Sequence, residues 1–152
     1  RNNNAVKANS KFSNKTALIK FYPGMPTEII DFYIKNGVKG IVIEGSGLGH
    51  VASSESKNNL LPTIKKAVKS NIAICIAPQT LYGRLNPKVY SLGRELEKTG
   101  VIFLEDMLPE TALVKLSWIL ADVNMRKNIK EFMLKPLARD ISQFTAEDEF
   151  MN

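Results

Sequence analysis

Gly40–His50 reads GIVIEGSGLGH: a glycine, three aliphatic residues and a glutamate, then glycines at 45, 47 and 49, ending at the only histidine of the chain. GIVIE, from Gly40 to Glu44, is a continuous apolar run, as expected of a strand buried on both faces of a parallel sheet. Downstream, IAICIA (Ile72–Ala77) has the same character. Between the two, NNLLPTIKKAVKSN places Leu60, Ile64 and Ala67 at helical spacing with lysines outward, an amphipathic helix. Strand, helix, strand is the unit from which the rest of the chain is read.

Working outward, TALIKFY (Thr16–Tyr22) predicts a strand closed by the Pro23-Gly24 turn. PTEIIDFYIKNG predicts a short helix with Pro26 near its first turn and Gly37 as its cap. On the other side, SLGRELEKTG predicts a helix ending at Gly100, and VIFL (Val101–Leu104) a fourth, shorter strand. PETALVKLSWILA predicts a helix from Pro109, with Leu113, Leu116 and Leu120 along one face and Trp118 and Ala121 beside it. NMRKNIKEFML predicts a final helix with Asn124 as N-cap and Met125, Ile129, Phe132 and Met133 on the core side. This alternation specifies an α/β fold: three layers, α/β/α, around a four-stranded parallel sheet of the flavodoxin-like type. Residues 16–137 form the domain, 1–15 (RNNNAVKANSKFSNK) read as a polar linker, and 138–152 read as an irregular tail. A linker at the start of a chain implies that a further segment precedes it.

The bulk numbers narrow the class. The length of 152 residues suits one domain, and 44% apolar with 24% charged residues is ordinary for a globular domain. No apolar run approaches the ~18 residues of a membrane span. A net charge of +6 could favour RNA by long-range attraction, but the lysines are scattered and carry no aromatic RNA motif. One cysteine, Cys75, excludes an internal disulfide framework and fits a reducing, cytoplasmic setting. It lies mid-strand among isoleucines, as an inert core residue would.

In parallel α/β sheets ligands collect beyond the carboxyl ends of the strands. The loop GSGLGH lies at such an end, and so does PQTLYGR after Ala77. A dinucleotide fingerprint needs two residues between its second and third glycines; here Gly47 and Gly49 are separated by one, and no phosphate-loop Gly-Lys-Ser/Thr follows. Closely spaced glycines are better explained by a close backbone approach or by positive φ. His50, with no Cys, Asp or Glu at ligand spacing, is not read as a metal ligand. It reads as a hydrogen-bonding rim residue or a base whose partners lie elsewhere. Arg84 and Arg94 read as surface ion pairs, Arg94 beside Glu95 and Glu97. Glu105-Asp106 invites an acid–base reading, but its place before the helix starting at Pro109 favours a helix-dipole role.

Three stretches carry a family resemblance: FYPGMPTEIIDFYIKNGVKGIVIEGSGLGHV, LYGRLNPKVYSLGRELEKTGVI and EDMLPETALVKLSWIL. From Ala17 to Leu137 the chain resembles the carboxy-terminal domain of the bacterial-type L-asparaginase family. Within it, IEGSGLGH and EDMLPETALVKL resemble the branch that serves as glutaminase subunit of archaeal Glu-tRNA(Gln) amidotransferases; the same domain of a cytoplasmic L-asparaginase and a stand-alone assembly domain are the alternative readings. Plain asparaginases usually carry asparagine where this chain has His50. The resemblance implies an amidohydrolase with a nucleophilic threonine in an amino-terminal domain; its GGT- and HGTDT-type motifs do not occur here. No residue of this chain is therefore expected to be catalytic, and no metal site is expected. The carboxy-terminal domain is expected to complete a partner's active site across a homodimer interface. Those positions fall at His50 and Tyr90, reaching the α-amino or α-carboxylate end of a bound glutamine or asparagine. Periplasmic members more often place a carboxylate at the Tyr90 position; packing at a helix start is the other reading of that tyrosine. Further implied partners are the amino-terminal amidase domain, a kinase/transamidase subunit and, through that complex, tRNA. No cofactor is expected in this chain; ATP and magnesium would serve the partner subunit.

Overall fold

A computed structural model describes residues 8–144. Four strands, β1 (Thr16–Lys20), β2 (Gly40–Gly45), β3 (Ala73–Pro78) and β4 (Ile102–Phe103), form one parallel sheet in the order β1-β2-β3-β4. The register pairs Thr16 with Gly40, Gly40 with Ala73, and Cys75 with Ile102. Helices α1 (Glu28–Lys35), α2 (Leu61–Lys69) and α3 (Ser91–Glu97) make the three crossovers; α4 (Pro109–Ala121) and α5 (Ile129–Leu134) follow β4.

Each crossover steps one strand in the same direction. Right-handed connections then put all three crossover helices on one face. The core follows this rule. Ile41, Ile43, Ile74 and Ile76 point to α1–α3 and pack with Ile30, Ile64, Ala67 and Leu96. Val42, Cys75, Ala77 and Ile102 point to the opposite face, against Ala112, Leu116 and Ile119 of α4 and Met133 of α5. Burial on both faces explains the uninterrupted apolar runs of the central strands. Each fully buried isoleucine contributes roughly 1.5–3 kcal/mol.

The three-layer arrangement matches the expectation, and its strand order has a consequence. Flavodoxin-type sheets, ordered 2-1-3-4-5, reverse direction once and open a crevice at that switch point. Here the order is monotonic. The carboxyl edge therefore has no crevice made by a reversal of strand order.

Local details depart from the pattern reading. Beyond α1, Gly37 N–H donates to Ile34 O (3.0 Å) and Val38 N–H to Tyr33 O (3.1 Å), a Schellman end that confirms Gly37 as the stop. On α4 the buried face is Ala112, Lys115, Leu116 and Ile119, whereas Leu113 and Leu120 are only half-buried. That helix is apolar nearly all round, so spacing does not single out the inner face. The last helical segment is broken. A 3-10 turn spans Met125–Lys127, Asn128 leaves helical geometry, and α5 begins at Ile129. The cap is Asp122, whose Oδ1 accepts from Asn124 N–H (2.8 Å) and Met125 N–H (3.0 Å); Asn124 makes no side-chain cap.

Both flanks pack on α4 within the described residues. Ser13 N–H donates to Ser117 O (3.0 Å), and Ser117 Oγ donates to Ser13 O (2.6 Å). After α5, Lys115 Nζ donates to Lys135 O (2.7 Å) and pairs with Asp140 Oδ2 at 2.6 Å, both side chains only 6% exposed. The linker residues 1–7 and the tail residues 145–152 lie outside the described residues.

Cys75 is fully buried, and burial pushes its thiol up to about 12. Only the thiolate reacts with disulfide reagents. Native protein should therefore resist thiol labelling at pH 8 and react completely once denatured; rapid labelling of native protein would show that β3 opens readily.

Candidate functional site

The glycine loop folds onto itself. Ser46 N–H donates to His50 O (2.9 Å), His50 N–H to Ser46 O (2.8 Å), Gly49 N–H to Ser46 O (3.0 Å), and Ser46 Oγ to His50 O (3.2 Å). A phosphate cradle needs free backbone N–H groups aimed at one point. Here those of Ser46, Gly49 and His50 are already used, which agrees with the spacing argument against a nucleotide. Gly49 has φ +98°, and a Cβ there would meet Phe103 Cε1 at 3.1 Å and Leu85 Cδ2 at 3.2 Å. Both explanations of the glycines therefore hold at this residue: left-handed backbone and close approach.

The loop after β3 is sewn to its neighbours. Gln79 Nε2 donates to Phe21 O (2.6 Å) and Glu44 O (2.9 Å), tying the ends of β1, β2 and β3. Asn86 N–H donates to Leu48 O (3.2 Å), joining this loop to the glycine loop; Leu85 N–H donates to Glu105 O (2.9 Å), joining it to the turn after β4. Arg84 Nη1 pairs with Glu105 Oε2 at 2.9 Å, and its Nη2 donates to Ser142 O (2.5 Å). Asp106 accepts from Ser142 N–H (3.0 and 3.2 Å). Glu105 and Asp106 thus hold an arginine and the chain after α5 in place, consistent with a structural role. Arg84 does form an ion pair. Arg94 does not pair with Glu95 or Glu97 as its spacing suggested; its Nη1 donates to Lys88 O (2.8 Å) and Val89 O (3.4 Å).

These ties bring His50 and Tyr90 together. Their rings meet edge to face, centroids 5.5 Å apart and planes inclined by 66°. Tyr90 is the residue before α3, with extended backbone, and is 56% exposed, so packing at the helix start does not account for it. His50 Nε2 is buried and has no hydrogen-bond partner among the described residues. The loops beyond the carboxyl ends of β1 and β3 also expose large apolar groups: Tyr22 after β1, and Leu81, Tyr82 and Val89 after β3, are each at least half exposed. Large exposed apolar groups gathered on one edge mark a surface that another surface covers. No cluster of three or more His, Cys, Asp or Glu side chains suited to a metal occurs among the described residues. No described helix is long and apolar enough to cross a membrane.

The molecule is thus a parallel α/β domain whose carboxyl edge presents a histidine and a tyrosine in contact and several exposed apolar side chains, with no switch-point crevice among the described strands. Residues 15–133 match the model of the Glutaminase/Asparaginase C-terminal domain, and the chain belongs to that family. The D-type subunit of glutamyl-tRNA(Gln) amidotransferase from Pyrococcus furiosus is 48% identical over 151 residues, and its counterpart from Thermococcus kodakarensis is 45% identical over 151 residues. Each alignment covers 99% of this chain and 33% of the relative, so the chain spans about a third of the length of the curated relatives it matches. Among solved structures, the thermostable L-asparaginase from Thermococcus kodakarensis matches with a TM-score of 0.77 at 27% identity, over 87% of this chain and 39% of that one. L-asparaginase I from Vibrio cholerae matches with a TM-score of 0.73, also at 27% identity, over 84% of this chain and 38% of that one.

Proposed function

We propose that this chain is the carboxy-terminal domain of the glutaminase subunit of an archaeal, cytoplasmic Glu-tRNA(Gln) amidotransferase. The whole subunit releases ammonia from glutamine or asparagine with a nucleophilic threonine of its amino-terminal half. A kinase/transamidase partner subunit, using ATP and magnesium, consumes that ammonia to convert Glu-tRNA(Gln) to Gln-tRNA(Gln). In a homodimer, His50 and Tyr90 complete the partner's amide site. A neutral imidazole can donate from one nitrogen and accept at the other, and a phenol can do both, so the pair suits the α-amino or α-carboxylate group of the donor.

The observation that carries this reading is His50 Nε2, buried and unpartnered among the described residues, on a sheet edge whose strand order makes no switch-point crevice. A buried polar atom needs a partner, and here a docked subunit and its substrate supply one. In the full-length protein, His50→Ala and Tyr90→Ala should each raise KM for the amide donor about fivefold, the scale of one lost hydrogen bond, with kcat changed less. Unchanged KM in both variants would remove this edge from the donor site. The 152-residue chain alone should not hydrolyse glutamine or asparagine; hydrolysis by it would refute the half-site arrangement.

The likeness to two asparaginase structures favours a second reading, the same domain of a cytoplasmic L-asparaginase. Formation of Gln-tRNA(Gln) on addition of the partner subunit and ATP decides for the first reading. Hydrolysis of asparagine with no such transfer decides for the second.

A further inference from the structure

We propose that Arg94 and Gly93 are positioning residues that hold Tyr90 against His50; the functional part of this inference rests on the donor-site reading above. Tyr90 ends a turn, Pro87–Tyr90, that doubles back over the first turn of α3. Beside the helix's own first bond, from Arg94 N–H to Tyr90 O (3.2 Å), two contacts from α3 fix the part of the turn that precedes the tyrosine. Arg94 reaches back to the carbonyls of Lys88 (2.8 Å) and Val89 (3.4 Å), the two residues immediately before Tyr90. Both bonds come from Nη1, whose two N–H groups let this one nitrogen hold two successive carbonyls. Gly93, buried, lies directly beneath the turn: a Cβ there would fall 2.8 Å from Pro87 Cα and closer still to its carbonyl oxygen. No side chain fits at that position without lifting the turn.

The start of the turn is secured independently. Asn86 Oδ1 accepts from Lys88 N–H (3.2 Å), and Asn86 N–H bonds Leu48 O in the glycine loop (3.2 Å). The glycine loop carries His50, so the turn has one anchor on the histidine's loop and one on α3. Tyr90 stands between them, and its angle to the imidazole depends on the α3 anchor. The exposed ring has no other restraint given by the described contacts than its 5.5 Å approach to His50.

Because the chain has one histidine, its imidazole C–H proton resonances are an unambiguous probe of this geometry. In the 152-residue chain, Tyr90→Ala removes the ring-current shift at His50 and sets its full size. Arg94→Ala should abolish at least half of that shift, and Arg94→Lys, which can still hold one carbonyl, should retain most of it. Gly93→Ala, checked for cooperative unfolding, should reproduce the Arg94→Ala spectrum. A His50 resonance unmoved by Arg94→Ala overturns the positioning role. In the full-length protein, Arg94→Ala should raise KM for the amide donor about threefold with kcat retained, less than the loss of the direct contact. If the resonance moves but KM is unchanged in both Arg94→Ala and Tyr90→Ala, the positioning role stands and the donor-site reading falls. If Tyr90→Ala raises KM and Arg94→Ala does not, Arg94 has no part in the site.

Discussion

Replacing Lys115 with alanine should lower the unfolding free energy by about 3–5 kcal/mol, the usual cost of leaving one charge of a buried pair uncompensated. The side chains of Lys115 and Asp140 are each 6% exposed and 2.6 Å apart, and the same ammonium holds Lys135 O. Asp140 also accepts from the N–H groups of Leu137 (2.8 Å) and Ala138 (3.1 Å). Burial acts to raise its pKa, but Lys115 and those N–H groups together outweigh burial and hold it at about 2, below the ordinary 3.8. A depressed carboxylate pKa stabilises the fold above its unfolded value. That contribution, about 2 kcal/mol, should be fully present above pH 4 and lost as pH falls through 4 toward 2. The double variant Lys115→Met with Asp140→Asn removes both charges and keeps an acceptor for the two N–H groups, so it should recover most of the loss. Urea titrations at pH 7 and pH 3 test both statements. A Lys115→Ala loss below about 1 kcal/mol would show that the pair behaves like a surface pair.

Gly49→Val should be as severe and should also damage the site. The position combines φ +98° with Phe103 and Leu85 atoms 3.1–3.2 Å from any Cβ. Backbone strain and overpacking together cost roughly 2–6 kcal/mol. The neighbouring His50 would be carried away from Tyr90; under the function proposed above, KM for the amide donor in the full-length protein should then rise at least as much as for His50→Ala. Gly47→Ala is the control: φ is +52°, and the nearest atom to a Cβ, His50 Nδ1, is 4.0 Å away. It should cost about 1 kcal/mol, the ordinary penalty for a left-handed residue with a side chain. Equal unfolding midpoints for Gly49→Val and the parent chain would show that the loop relaxes freely.

What could be read from the sequence follows from how local each signal is. β2 and β3 declare themselves as unbroken apolar runs because both their faces are buried, and α2 because its lysines contrast with Ile64 and Ala67. The inner face of α4 could not be read, since Leu113, Val114, Trp118 and Leu120 are as apolar as the residues that are buried. Lys115 gives no sign of burial either: its partner Asp140 lies 25 positions away in a stretch without pattern. The same holds for Arg84 and Glu105, 21 positions apart, and for Arg94, whose adjacent glutamates suggested ion pairs while its partners are backbone carbonyls. Carbonyl acceptors carry no residue signature. His50 and Tyr90 were singled out by family resemblance; no spacing rule brings together residues on two different loops. The structure places their rings in contact.

The strand order also bears on how the chain acquires its shape. Every strand pairs with the next one in sequence, and the register partners Thr16–Gly40, Gly40–Ala73 and Cys75–Ile102 are 24, 33 and 27 positions apart. Such loops close with little difference in entropic cost, so the sheet can zip up one strand at a time from its amino-terminal end. The distant step is different: α4 lies across β1, β2 and β3, and its Ser117 meets Ser13 across 104 positions. Without α4 the sheet would have one covered face and one bare one, so the second layer of the core is complete only when a helix that follows all four strands in the chain packs back across them.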